Sequence, residues 1–323
     1  MLPESQGCRG SSISEGTTNM ANSTLLEDRG TFSGKLARVF YRTAKVEGLN
    51  LFYREAGPED APAIVLLHGF PSSSHMFREL IPILATRYHV VAPDYPGFGY
   101  SDAPVADEFD YTFAHLARIV DRFLEQKEIA RYSIYIQDYG SPVGFRLATA
   151  HPERVQAIIS QNGNAYEEGL SSFWGEYLTP YWKERNAETE AKVRGLLSLE
   201  ATKMQYLTGV RNAEQVNPDA WQHDQALLDR AGNQEIQLNL FHDYRNNLPL
   251  YPAWHEYLRT QRPPVLLAWG KNDQIFIEPG ARAFLRDQPE AELHLLDTGH
   301  FALEEDAETI GRLMLDFLGR KVK

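Results

Sequence analysis

Short, continuous apolar runs recur along the chain, and they constrain its fold more than any other feature. They are "AIVLLHG" from Ala63, "HVVAPDYPG" from His89, "YSIYIQD" from Tyr132, "VQAIISQNG" from Val155, "PVLLAWG" from Pro264 and "AELHLLD" from Ala291. A strand with one wet face alternates polar and apolar residues; runs without that alternation read as strands buried on both faces. Between them lie stretches with a helical period, among them "FAHLARIVDRFLEQ", "ARAFLRD" and "AETIGRLMLDFLGR". Strand and helix in alternation predict an α/β domain, a mostly parallel sheet with helices on both faces. Ahead of it, "VFYRTAKVEGLNLFYREAG" from Val39 alternates around a Glu-Gly turn, the pattern of a hairpin.

From about Asn164 to Pro252 the alternation stops, and long, aromatic-rich helical segments take over until "PPVLLAWG" resumes the sheet. This predicts a core over residues 36–163 and 252–323 with a helical cap inserted over 164–251. Residues 1–35, rich in Ser, Gly, Thr and Asn, have no apolar period that could form a packed face and are expected to be a mobile tail.

Composition narrows the function. A chain of 323 residues with 43% hydrophobic content can bury one large core. No run approaches a membrane span, and no charged start precedes an apolar segment, so the cytoplasm is the expected compartment. The single cysteine, Cys8, excludes an internal disulfide, and no Cys/His cluster has metal-ligand spacing. With 32 basic against 44 acidic residues, net charge −12, nucleic acid is not an expected partner.

Asp138 closes the run "YSIYIQD" where a helix pattern begins, at a sharp strand-to-helix join. Such a turn holds a side chain above the sheet edge, where backbone N–H groups and the helix N-terminus favour negative charge. An ionised carboxylate there serves as a nucleophile without a base to activate it; the bland alternative is a helix cap. "LLHGFP", Leu66 to Pro71, ends an earlier strand in a glycine turn that could present the Phe70 N–H beside that of Tyr139, an oxyanion hole. Asp273 in "AWGKNDQIF" and His300 in "LLDTGHFALEED" each follow a later strand, where open α/β sheets place their sites. The order Asp, Asp, His, each after a strand, points to a nucleophile, an orienting acid and a base.

"HGFP", "DYPGFGYSD", "QDYG", "GKND" and "DTGHFALEE", spread over Val39 to Leu318, resemble the α/β-hydrolase fold superfamily in its epoxide hydrolase and haloalkane dehalogenase branch. The resemblance implies a mostly parallel eight-stranded sheet under a cap, with Asp138 as nucleophile, His300 as base for water and Asp273 as its orienting acid. The sixth strand ends in "SQNGN", so Asn162 and Asn164 supply no acid there. No GxSxG is present, and Ser141, three residues past the turn, reads as a capping or packing residue.

An opening epoxide needs a proton on its leaving oxygen, whereas a halide leaves unprotonated. The cap segment "LFHDYRNNL" resembles the element that carries the cap tyrosine of many epoxide hydrolases, which makes Tyr244 a candidate proton donor. "FWGEYLTPYW" offers Tyr181 and Tyr177 as the first cap tyrosine, Tyr181 preferred; core packing is the competing reading for each. Ile136 stands where epoxide hydrolases commonly have glycine, which is dehalogenase-like. Phe70 and Tyr139 occupy positions where many haloalkane members carry Asn and Trp. Arg146 lies too far along its helix to replace the arginines of fluoroacetate dehalogenases. The sequence thus favours epoxide opening on a small, mostly apolar substrate with water as co-substrate and no cofactor. Dehalogenation and a non-catalytic binding protein are the alternatives.

Overall fold

A computed structural model describes residues 37–322. The expected tail over residues 1–35, with Cys8, lies outside the described residues. The first strands, β1 (Phe40–Val46) and β2 (Leu49–Ala56), form an antiparallel hairpin. Its turn residues Glu47 and Gly48 have φ of 47° and 91°, the positive pair that a two-residue hairpin requires.

Six more strands follow: β3 (Ala63–Leu67), β4 (His89–Pro93), β5 (Tyr132–Ile136), β6 (Val155–Ser160), β7 (Val265–Gly270) and β8 (Glu292–Leu296). They complete one eight-stranded sheet in the order β1-β2-β4-β3-β5-β6-β7-β8. β2 is antiparallel to both its neighbours and every later pairing is parallel. The chain is therefore an α/β protein with the eight-stranded, mostly parallel sheet of the α/β-hydrolase fold.

Successive side chains of a strand point to opposite faces, so each apolar run feeds two cores. Val65, Leu67, Ile134, Ile136 and Leu267 point to one face, and Ile64, Leu66, Tyr135, Ile159 and Leu266 to the other. The second face is covered by α1 (Leu80–Leu84) and by α11 (Leu303–Lys321) near the chain end. The first is covered by α2 (Phe113–Gln126), α3 (Gly140–Ala150), α9 (Tyr251–Gln261) and α10 (Glu278–Asp287). Thr112 starts α2 by accepting from the His115 N–H, and Trp254 of α9 stacks on Phe145 of α3 with ring centres 5.1 Å apart.

Between β6 and β7 the described chain makes no named strand. It runs instead through α4 (Thr179–Lys183), α5 (Ala187–Arg194), α6 (Leu199–Leu207), α7 (Pro218–Leu228) and α8 (Asn233–Asp243). Polar contacts tie this segment to the loops at the sheet edge. The Trp174 indole N–H donates to the Ile275 carbonyl at 3.0 Å, the Asn233 amide to Gly97 O at 2.8 Å, and the Phe113 N–H to Asp243 Oδ2 at 2.8 Å. No described helix is long and apolar enough to cross a membrane.

Candidate active site

Asp138 sits between β5 and α3 with φ of 48°, a left-handed conformation that non-glycine residues rarely adopt. The turn is tight because α3 crowds the neighbouring strand: a Cβ on Gly140 would lie 2.1 Å from Leu67 O. Gly69 is equally confined, since its Cβ would meet the Asp138 side chain at 2.3 Å. This closeness brings the Phe70 N–H within 2.7 Å of Asp138 Oδ1, and the Tyr139 N–H reaches the same oxygen at 2.6 Å. One carboxylate oxygen is therefore pinned by two donors while Oδ2 makes no such bond.

Oδ2 faces His300. The gap to Nε2 is 3.9 Å, wider than a hydrogen bond, and on the far side of the ring Nδ1 lies 2.8 Å from Asp273 Oδ2. Asp273 follows β7 and His300 follows β8, so three strand ends assemble Asp138, Asp273 and His300 in one buried cluster. Burial pushes the Asp138 carboxyl up to about 6, and His300 with the Phe70 and Tyr139 N–H groups only partly offsets it. Burial pulls His300 down, but the charge of Asp273, the hydrogen bond to it and the charge of Asp138 outweigh this and leave it above the ordinary histidine value.

Above Asp138 lies a small cavity of about 40 Å³. Its wall is largely aromatic and aliphatic, with Phe70, Phe173, Trp174, Phe241 and Ile275 beside Tyr139 and Tyr244. Tyr244 is buried there, its ring 4.5 Å from that of Trp174 and 6.0 Å from that of Tyr139. Burial, then the neighbouring Tyr251 phenol and the Asp138 charge, hold the Tyr244 hydroxyl well above the usual phenol range, so it keeps its proton.

The other two candidate tyrosines stand elsewhere. Tyr181 is buried against α8, its hydroxyl donating to Leu238 O at 3.3 Å, and Tyr177 packs on Phe173 beneath Lys192. Neither lines the cavity. A π-helical turn over Trp174–Leu178 is the reason: it turns Trp174 and Leu178 inward and leaves Tyr177 half-buried at the side. Ser141 donates to Asn164 O at 2.7 Å and is a packing residue. Arg146 donates to Pro142 O and lies over Trp254, away from the cavity.

Two polar residues enter the cluster that sequence reasoning does not single out for it. Gln137 places its side-chain nitrogen 2.9 Å from His300 Nε2. Asn162 donates to Asp273 Oδ2 at 2.8 Å and to Gly270 O at 3.1 Å, and it accepts from the Gly270 N–H at 2.8 Å. The sixth strand end thus supplies no acid but holds the acid that β7 delivers. Among the described residues no group of three His, Cys, Asp or Glu is placed to hold a metal ion.

Comparison with known proteins places this arrangement in a family. Over 269 residues the chain is 45% identical to an uncharacterized hydrolase of Saccharomyces cerevisiae, covering 82% of this chain and 92% of that one. A local match of 117 residues is 38% identical to a haloalkane dehalogenase of Bradyrhizobium diazoefficiens, 36% of this chain and 37% of that enzyme. The crystal structure of the haloalkane dehalogenase DbeA of Bradyrhizobium elkani shares the fold at 22% identity, with a TM-score of 0.71 over 88% of this chain and 98% of that one. The family described as alpha/beta hydrolase fold matches residues 62–307, and the chain is accordingly a hydrolase belonging to it.

Proposed function

We propose that the protein opens epoxides to vicinal diols through a covalent alkyl ester on Asp138. One observation carries the reading: a buried tyrosine, Tyr244, shares the cavity wall with Asp138, while the indole N–H of Trp174 is committed to the Ile275 carbonyl. A phenol supplies the proton that an opening epoxide needs on its oxygen. A departing halide needs N–H donors instead.

Asp138 Oδ2, the oxygen free of the two N–H groups, attacks an epoxide carbon. The carbon–oxygen bond breaks, and the released oxygen takes the Tyr244 proton. Water then adds to the ester carbonyl carbon as His300 Nε2 removes its proton, and the Phe70 and Tyr139 N–H groups stabilise the oxyanion on Oδ1. Asp273 fixes the Nδ1–H tautomer and stabilises the imidazolium. Collapse expels the diol oxygen, which takes the His300 proton, and the proton left on the Asp138 carboxyl restores the Tyr244 phenol. The apolar wall fits a small, mostly apolar substrate, with water as the second reactant.

A second reading, dehalogenation of a haloalkane through the same ester, is favoured by the local likeness to haloalkane dehalogenases. One experiment separates the two. His300→Ala retains the nucleophile but cannot activate water, so it accumulates the ester. After exposure to aryl or alkyl epoxides, an intact-mass gain equal to the whole epoxide, mapped to Asp138, supports epoxide opening. An alkyl gain only with haloalkanes replaces it with dehalogenation. No adduct from either, on folded protein, makes the substrate panel or the nucleophile assignment wrong and favours a non-catalytic binding protein.

A further inference from the structure

Gln205, on α6, is 8% exposed and lines the cavity above Asp138. Among the described residues its amide has no protein partner, and its oxygen and nitrogen stay accessible to solvent, whereas each of the other buried glutamines has its amide nitrogen tied to a protein group. Gln137 donates to His300, Gln161 to Asn162 and His300 O, Gln225 to Leu197 O and Asp229, Gln237 to Asn233, and Gln288 to Leu258 O and Pro263 O. An accessible amide without a protein partner keeps its donor and its acceptor for water or for a ligand. In a wall that is otherwise largely aromatic and aliphatic, it offers a ligand both a donor and an acceptor.

The place of that group along the cavity follows from α6. Met204, the residue before Gln205, also lines the cavity yet is 44% exposed, so α6 borders the mouth. Asp138, also in the lining, is only 5% exposed. A ligand held by both is two-ended, with its reacting carbon inward and a hydrogen-bonding group toward the mouth. An amide both donates and accepts, which suits a hydroxyl. It is uncharged, so it offers no counter-charge to a carboxylate or an ammonium.

Resting on the epoxide reading above, we infer that Gln205 is a specificity-determining residue that binds a hydroxyl carried by the substrate on the mouth side of its epoxide. The substrate class is a hydroxylated aliphatic or aryl-alkyl epoxide rather than a plain hydrocarbon one.

The test compares 5,6-epoxyhexan-1-ol with 1,2-epoxyhexane on wild type and on Gln205→Leu. Loss of one neutral hydrogen bond predicts a fall of about 3- to 10-fold in kcat/KM for the hydroxylated epoxide, carried by KM, with 1,2-epoxyhexane unchanged or improved. The thermal midpoint of Gln205→Leu is expected to equal or exceed wild type, whereas a glutamine kept for structure would lower it. Equal falls on both epoxides, or no change in their ratio, overturn the assignment. If wild type turns over neither epoxide, the epoxide reading fails by itself, and ligand binding still decides this one. Hexane-1,6-diol and hexan-1-ol are then titrated against tryptophan fluorescence, with Trp174 in the cavity wall as reporter. A preference for the diol that disappears in Gln205→Leu upholds the hydroxyl site, and the same preference in both proteins rejects it.

Discussion

The Gln137 side-chain nitrogen stands 2.9 Å from His300 Nε2, the ring nitrogen that faces Asp138. An amide NH2 can only donate, so this contact requires Nε2 to be unprotonated and leaves the ring proton on Nδ1, where Asp273 accepts it at 2.8 Å. Two neighbours thus select one tautomer, the one with its lone pair on Nε2, where the Gln137 amide donates. Protonating Nε2 breaks the Gln137 bond, so Gln137 opposes the charged ring. Gln137→Met, which keeps the bulk and removes the donor, is expected to make His300 more basic. The pH profile of ester hydrolysis should then move up by about 0.7 pH for a bond worth ~1 kcal/mol. Single-turnover hydrolysis of the ester formed in wild type and in Gln137→Met, both with His300 intact, reads this directly across pH, and an unchanged midpoint would refute the role.

The first half-reaction needs Asp138 ionised, and its carboxyl is pushed up to about 6, by burial first. Ester formation in wild type is therefore expected to fall away as pH drops through about 6. Removing His300 takes away the charge that holds Asp138 down, so in His300→Ala the same limb should shift to higher pH. Quenched-flow mass spectrometry of the adduct against pH gives both curves. A shift to lower pH in the variant would contradict the assigned interaction.

The same carboxylate costs stability. A group whose folded pKa is raised contributes stability that is present below its unfolded pKa, near 3.8, and lost as pH rises through about 6. At pH 8 the fold therefore carries the full cost of a buried charge. Asp138→Asn can still accept from the Phe70 and Tyr139 N–H groups through its carbonyl oxygen. It is expected to abolish turnover and to raise stability at pH 8 by about 1–3 kcal/mol, with the gain vanishing below pH 4. Denaturant unfolding at the two pH values checks the sign, and a variant less stable at pH 8 would count against the burial argument.

Much of this is legible in the sequence, for physical reasons. Strands such as β3 and β5 are buried on both faces and so appear as unbroken apolar runs. Asp138, Asp273 and His300 follow such runs, and the chain order alone suggests their meeting. Gln137 and Asn162 leave no comparable signal. They lie 163 and 111 residues from the partners they hold, and an amide carries no chemistry that its neighbours in sequence disclose. Tyr177 and Tyr181 mislead for a local reason. They are candidates through the resemblance of "FWGEYLTPYW" to a family element, and the π turn over Trp174–Leu178, which buries Trp174 and Leu178, is not visible in that likeness.

The tyrosines also offer the sharpest test of the leaving-group chemistry. Tyr244→Phe keeps the ring that packs on Trp174 at 4.5 Å and on Phe113 at 5.5 Å, and removes only the hydroxyl. Loss of a general acid lowers kcat by about 10²- to 10⁴-fold, so epoxide opening should collapse while the fold stays intact. Tyr181→Phe removes a hydroxyl that serves only the Leu238 carbonyl. It should leave kcat within about twofold and destabilise by about 1 kcal/mol. The contrast is specific to an oxygen leaving group. If haloalkanes are the true substrates, Tyr244→Phe should alkylate Asp138 as fast as wild type, because halide needs no proton. Burst rates with an epoxide and with a haloalkane on the same variant therefore read the leaving group: a collapse confined to the epoxide assigns the Tyr244 proton to the ring-opening step.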